Sequence, residues 1–280
     1  MRIHTLSTLP LLALLAATPA RSPVPTLVSD SEAATQVPSV TMFDHSEFNA
    51  LLRAQVKAGL VDYDAFAAST AFTHYLGALR AFDPASLPRD EQLAFWINAY
   101  NAYTIQLINS HHERGSIRNI NKSLGFVKAS GPWTEKLAWV GGKAYGLDEI
   151  EHQIIRPQYK EPRIHFALVC AAMGCPPLRS EAYTGATLNR QLEEQGRIFL
   201  RESPKKNRVD VPAHTVYLSP IFLEFRDYIK DFGGSKAAVG RYVAHWFPAG
   251  AERDLLNSGD FKSVVTTYDW TLNRQASAGR

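Results

Sequence analysis

Apolar residues fall at helical spacing from Phe43 onward. Phe43, Phe48, Leu51, Leu52 and Val56 predict a helix over 43–58, with Asp44 or Ser46 as its cap and Gly59 as its stop. Leu60–Tyr63 reads as a short extended link. A second helical stretch covers 63–82 and closes at Asp83-Pro84. The strongest pattern spans 88–112. Pro88 suits a first turn, and Asp90 and Glu91 follow it where the helix dipole favours negative charge. The body of this helix carries Leu93, Phe95, Trp96, Ile97, Tyr100, Tyr103, Ile105, Leu107 and Ile108. It is apolar on nearly every side, as a helix in the middle of a fold must be.

The second half alternates shorter signals. Leu137–Val140 and Lys143–Leu147 flank Gly141-Gly142 and predict a hairpin. Asp148 caps a short helix, Glu149–Arg156, ended by Pro157. Ile164–Cys170 has the pattern of a strand. Thr184 caps a helix over 186–201. Arg208–Val211 and Thr215–Leu218 form a second strand pair, 220–232 and 235–247 are helical, and Val264–Trp270 is a last strand-like run. The expected class is α+β, helix-rich, with a small and mostly antiparallel sheet.

The ends change the picture of organisation. Arg2, the apolar run Leu9–Ala17 and the small residues Thr18-Pro19-Ala20 have the three parts of a secretory signal over 1–20. That run is far shorter than the ~20 residues that span a bilayer, so stable membrane insertion is not expected. Residues 21–40, rich in Pro, Ser, Thr and Ala, read as a disordered spacer. One globular domain is expected over 41–275, with a tail at 276–280. The chain is therefore expected to be exported, periplasmic or extracellular. A net charge of +3 with no basic stripe among aromatics argues against nucleic acid as a partner. Lys205-Lys206 reads as a solvated turn.

Candidate chemistry concentrates in Pro162–Leu178, which holds both cysteines, Cys170 and Cys175. Alternation along a strand puts His165 and Cys170 on opposite faces. Cys175 follows Met173-Gly174, where the chain turns, and precedes Pro176-Pro177, which stiffens the exit. It is free to face either side. Two roles compete for it. One is a thiolate nucleophile activated by His165 or His152. The other is a Cys170–Cys175 disulfide, as an even cysteine count in an exported chain implies, either structural or reversible. A second constellation is Leu147–His152, where Asp148 and Glu149 sit four and three residues before His152 on a helix, with Glu151 directed elsewhere. Asn98 and Asn101 share a face of the long helix and either brace a loop or face a cleft. No metal-ligand spacing, phosphate loop, dinucleotide fingerprint or serine-hydrolase elbow is present, and no metal or cofactor is expected.

Phe95–Ala102, Leu147–His152, Arg163–Leu168 with Cys175–Leu178, and the closing Tyr268–Asn273 together resemble the family known as domain of unknown function 547. The resemblance runs from about Glu91 to Asn273, with Val169 standing where that family favours Asn. It implies a bacterial member of an often exported group and adds no activity. The leading expectation from the residues is a thiol-dependent hydrolase or acyltransferase of papain- or transglutaminase-like layout. Cys175 is its nucleophile, His165 its base, and Asn101 or Glu151 an orienting or oxyanion group. His152 is a further catalytic candidate. Asn98, Arg163 and Trp96 are candidates for binding a small-molecule or peptide ligand. The rival is a non-catalytic exported binding domain with the cysteines joined.

Overall fold

The computed structural model describes residues 42–121, 131–225 and 227–276; the expected signal and spacer lie outside them. The first helix forms as α1, Ser46–Gln55. The Asp44 carboxylate accepts from the backbone N–H and hydroxyl of Ser46 at 2.8 and 3.0 Å. A small antiparallel ladder follows, β1 Val56–Lys57 with β2 Leu60–Val61. Gly59 in its turn has φ +82°, and a Cβ there would lie 2.4 Å from the Cβ of Pro177. This turn therefore closes against the Cys175–Leu178 stretch. The helix expected over 63–82 is two, α2 Tyr63–Ala67 and α3 Thr70–Ala81. Ser69 separates them because its hydroxyl caps the Phe72 N–H. The long helix is α4, Arg89–Ser110, buried almost continuously from Leu93 to Asn109.

The Gly-Gly hairpin forms as β3 Ala138–Val140 and β4 Lys143–Tyr145, with both glycines at positive φ. The next helical run is longer than expected. It comprises α5 Leu147–Glu149, a wide π-turn Ile150–Ile155 and α6 Arg156–Tyr159. Pro157 does not end it. Pro157 falls in the first turn of α6, just after the π-turn, where a missing N–H and a ring are tolerated.

The strand expected over 164–170 is corrected. Pro162–Phe166 is a 3₁₀ turn, and 167–170 has no ladder partner. The Ala167 and Leu168 amides both return to the Ile164 carbonyl, which curls the chain. The alternation argument that separated His165 from Cys170 thus loses its basis.

A 3₁₀ turn, Gly185–Thr187, leads into α7 Leu188–Arg201. β5 Arg208–Asp210 pairs antiparallel with β6 Thr215–Leu218. The helix expected over 220–232 shrinks to α8 Pro220–Leu223 and a 3₁₀ turn, Tyr228–Lys230. On one straight helix Phe225 and Phe232, seven apart, would share a face. Instead Phe232 is buried in the core and Phe225 lines a cleft. α9 Lys236–Val243 forms as expected. α10 Ala251–Ser258 went unrecognised in the sequence, and β7 Lys262–Val265 joins β6 in parallel. The class is α+β, with the other strand pairs antiparallel.

Two apolar cores result. One surrounds α4; the other gathers Phe166, Phe199, Phe222, Phe232 and Trp246. Tyr268 packs against both, and the cleft described next draws its walls from both. Among the described residues no helix is long and apolar enough to cross a membrane.

Candidate active site

Two asparagines of α4 shape the site from behind. The Asn101 amide donates to the Ala167 carbonyl at 2.9 Å and accepts from the Val169 N–H at 3.0 Å. Asn98 does the same for the two backbone groups of Tyr183, at 2.8 and 2.9 Å. Both are buried, and each replaces the strand partner its segment lacks. Neither lines the cleft, so the orienting or oxyanion role for Asn101 and the ligand role for Asn98 give way to bracing. Trp96 packs edge-on against Phe95 and Tyr145, and Arg163 is paired with Glu161 and Glu193. Neither lines the cleft; Trp96 lines a separate pocket with Gln92, Tyr145 and Gln153. Val169 is buried in the core, where its apolar side chain fits.

The cysteine loop is held by the C-terminal strap. Met173 and Gly174 donate to the carbonyls of Thr271 and Asp269, each at 2.7 Å, and Asn273 donates to Ala171 at 3.1 Å. Ala171 takes a left-handed conformation, φ +61°, uncommon for a residue with a Cβ. This bend turns the loop back on itself, and the Cys170 N–H donates to the Cys175 Sγ at 3.1 Å. The Tyr268 hydroxyl lies 3.0 Å from the Cys175 Sγ and 3.3 Å from the Cys170 Sγ. Both cysteines are free thiols, so the disulfide read from the cysteine count is not formed.

These contacts set the two thiols apart. Burial pushes the Cys175 thiol up. The Cys170 thiol, the Tyr268 hydroxyl and the amides of Ala172 and Cys170 outweigh it and bring Cys175 down to about 7. The hydrogen bond to Cys175 and then burial hold Cys170 well above the ordinary thiol range. One sulfur is therefore poised as a thiolate and the other kept as a donor.

The opposite wall is ionic. His165 Nε2 lies 2.7 Å from Asp231 Oδ2, and its Nδ1 lies 3.9 Å from Glu151 Oε1. Glu151, in the π-turn and buried, accepts from the Tyr228 hydroxyl, and the Tyr228 ring sits 4.1 Å from the imidazole. Arg156 grips Asp231 through two nitrogens at 2.7 and 3.1 Å and reaches Asp227 at 2.8 Å. Burial raises the Asp231 carboxyl, but His165 and Arg156 prevail and hold it at about 2. His152 is half-buried, 3.2 Å from Arg156 and 3.8 Å from Asp148. The imidazole of His165 is hydrogen-bonded to Asp231 and the sulfur of Cys175 to Tyr268 and Cys170, so the direct thiol–imidazole pair is not formed.

Cys175, His165, Glu151 and His152 nevertheless open on one cleft of about 270 Å³, walled by aromatic rings that include Phe225, Tyr268 and Trp270. Sequence reasoning missed Asp231, Tyr228 and Arg156, which carry no local motif. Tyr268 was visible only as part of the closing motif. Among the described residues no His, Cys, Asp and Glu group is arranged to hold a metal ion.

Residues 84–200 match the family model described as "Protein of unknown function, DUF547". The match runs from Pro84, ahead of α4, to Leu200 in the last turn of α7 and includes both cysteines, His165, Glu151 and His152; it stops short of Tyr228, Asp231 and Tyr268. No curated protein and no solved structure matches the chain.

Proposed function

We propose, from the site itself, a thiol-dependent hydrolase or acyltransferase with Cys175 as nucleophile, since the description of the family model that residues 84–200 match supplies no activity. The observation that carries this reading is the convergence of donors on the Cys175 sulfur at a cleft, where an acyl group has room. The thiolate attacks the acyl carbon of an ester, thioester or amide and forms a thioester as the leaving group departs. The Tyr268 hydroxyl, beside the sulfur, donates to the developing oxyanion. Glu151 and His165, fixed by Tyr228, Asp231 and Arg156, supply the proton to the leaving group. They then take one from the water or amine that releases the acyl group. The reading also takes residues 1–20 as a signal that exports the enzyme.

A panel of chromogenic acyl esters and thioesters tests it with the wild-type chain and Cys175→Ser. Turnover with loss of at least about a hundredfold in the variant is expected. Equal turnover by both proteins would exclude Cys175 as the nucleophile.

One observation favours a second reading, a binding domain whose cysteines oxidise reversibly. Both sulfurs share the Tyr268 hydroxyl, so they lie close together. Intact-mass loss of two hydrogens under glutathione disulfide, with no acyl turnover by the reduced protein, is the outcome that reading requires.

A further inference from the structure

We propose that Lys206 is a positioning residue for Cys175, holding its backbone by a hydrogen bond and serving as the half-buried counter-cation of its sulfur; this rests on the reading of Cys175 as the reactive thiol. The sequence presents Lys205-Lys206 as a solvated turn, and Lys205 is exposed. Lys206 is not: its side chain turns inward, and Nζ donates to the Cys175 carbonyl at 2.5 Å. That carbonyl precedes Pro176, so the ammonium fixes the loop at the residue where Cys175 must be aimed.

The turn carrying Lys206 is itself anchored. Its N–H donates to Ser203 at 2.8 Å, and its carbonyl accepts from the Thr266 hydroxyl at 3.0 Å. The next residue, Asn207, is buried and bridges Phe199 and Ser219 at 3.0 and 2.9 Å. The ammonium is therefore placed by a rigid base and not by a long free side chain.

Among the described groups that act on the two cysteines, Lys206 is a cation whose side chain reaches Cys175 itself. Tyr63 and Tyr100 are buried phenols and Tyr268 a partly buried one, all three held neutral by desolvation first. Cys170 stays protonated, and Glu151 acts on it as a negative charge. Burial pulls the Lys206 ammonium down, while Cys175 as a thiolate and Asp269 act to keep it charged. With His165 engaged by Asp231, a thiolate at Cys175 takes its opposite charge from Lys206 in place of an imidazolium.

Alkylation by iodoacetamide as a function of pH, followed on the Cys175 peptide by mass spectrometry, reads this directly. Lys206→Met is expected to move the alkylation midpoint up by about one pH unit and slow the reaction near pH 7 by roughly fivefold. Lys206→Arg, which keeps charge and donor, is expected to stay close to wild type. A midpoint in Lys206→Met equal to wild type would overturn the proposal. Should that variant fail to fold, Asp269→Asn serves instead. Removing the carboxylate that competes for Lys206 should lower the midpoint, and an unchanged or higher midpoint overturns the proposal equally. Alkylation requires no turnover, so a chain inactive on every acyl substrate would sink the hydrolase reading and leave this one standing.

Discussion

Tyr268 places its hydroxyl 3.0 Å from the sulfur of Cys175, across 93 residues of sequence. The same hydroxyl reaches Cys170 at 3.3 Å, so one phenol caps both sulfurs. Burial first, and then the two cysteines, push the Tyr268 hydroxyl well above the ordinary phenol range, so it is still protonated where Cys175 ionises. Tyr268→Phe keeps the ring and removes only that donor. A hydrogen bond to a charged sulfur contributes roughly 1.5–3 kcal/mol, so the Cys175 alkylation midpoint should rise by about one to two pH units with little change in melting temperature. A midpoint that stays put would show that the Cys170 thiol and the backbone amides set the sulfur without Tyr268.

Gly174 gives a steric version of the same test. A Cβ at this position would lie 2.7 Å from the Tyr268 ring, closer than real Cβ atoms come. Its N–H is also bound to Asp269, so the loop cannot slide away without breaking the strap. Gly174→Ala should therefore displace Tyr268 and slow Cys175 alkylation near pH 7 as Tyr268→Phe does. Unlike that variant, it should also lower the melting temperature, since the ring loses its packing. Comparison of the two variants by alkylation and thermal unfolding separates hydroxyl from ring.

How much of this was legible in the sequence depended on range. α4, the Gly-Gly hairpin, α7 and α9 follow from local periodicity and turn chemistry, and they form where expected. The stretch after Ile164 looked like a strand because its apolar content is high. What decides its shape is a side chain on α4, the Asn101 amide, which takes up the backbone groups a neighbouring strand would have used. No local pattern reveals that. Asp231 is a comparable case: it lies in an unremarkable run, Ile229–Phe232, and reaches His165 only because the helix expected there breaks after Leu223. Glu151 reads as directed away from His152, yet it lies three residues after Asp148 and so shares that residue's face; all three open on the cleft.

The Asn101 brace predicts a stability effect larger than its size. Asn101→Ala leaves the Ala167 carbonyl and the Val169 N–H without partners inside the core. Each orphaned group costs about 1–3 kcal/mol, so a loss of roughly 2–5 kcal/mol is expected, with a melting temperature lower by on the order of 10 °C. Because those two groups shape the segment from His165 to Cys170, Cys175 reactivity should also fall. Chemical denaturation with alkylation of the folded variant measures both. A loss under about 1 kcal/mol would show that water replaces the amide.

Asp231 ties the ionic wall to pH. Its carboxyl is held at about 2 in the folded chain because His165 and Arg156 overcome the cost of burial. In the unfolded chain it returns to its ordinary value of 3.8. A carboxyl with a depressed folded value stabilises the fold fully above the unfolded value, and this contribution is lost as pH falls through the folded one. Between pH 5 and 2 the wild-type chain should therefore lose melting temperature. Asp231→Asn should lose less over the same window while starting lower at neutral pH. Other carboxylates held down by Arg partners, such as Glu161 and Glu181, keep a residual slope in the variant. Melting curves at half-unit pH steps supply the comparison, and parallel slopes for the two proteins would remove Asp231 from the acid response. A second readout ties the wall to chemistry. The Asp231 partner fixes the His165 ring, so acyl turnover should drop in Asp231→Asn at neutral pH, while Cys175 alkylation, set on the other wall, should hold.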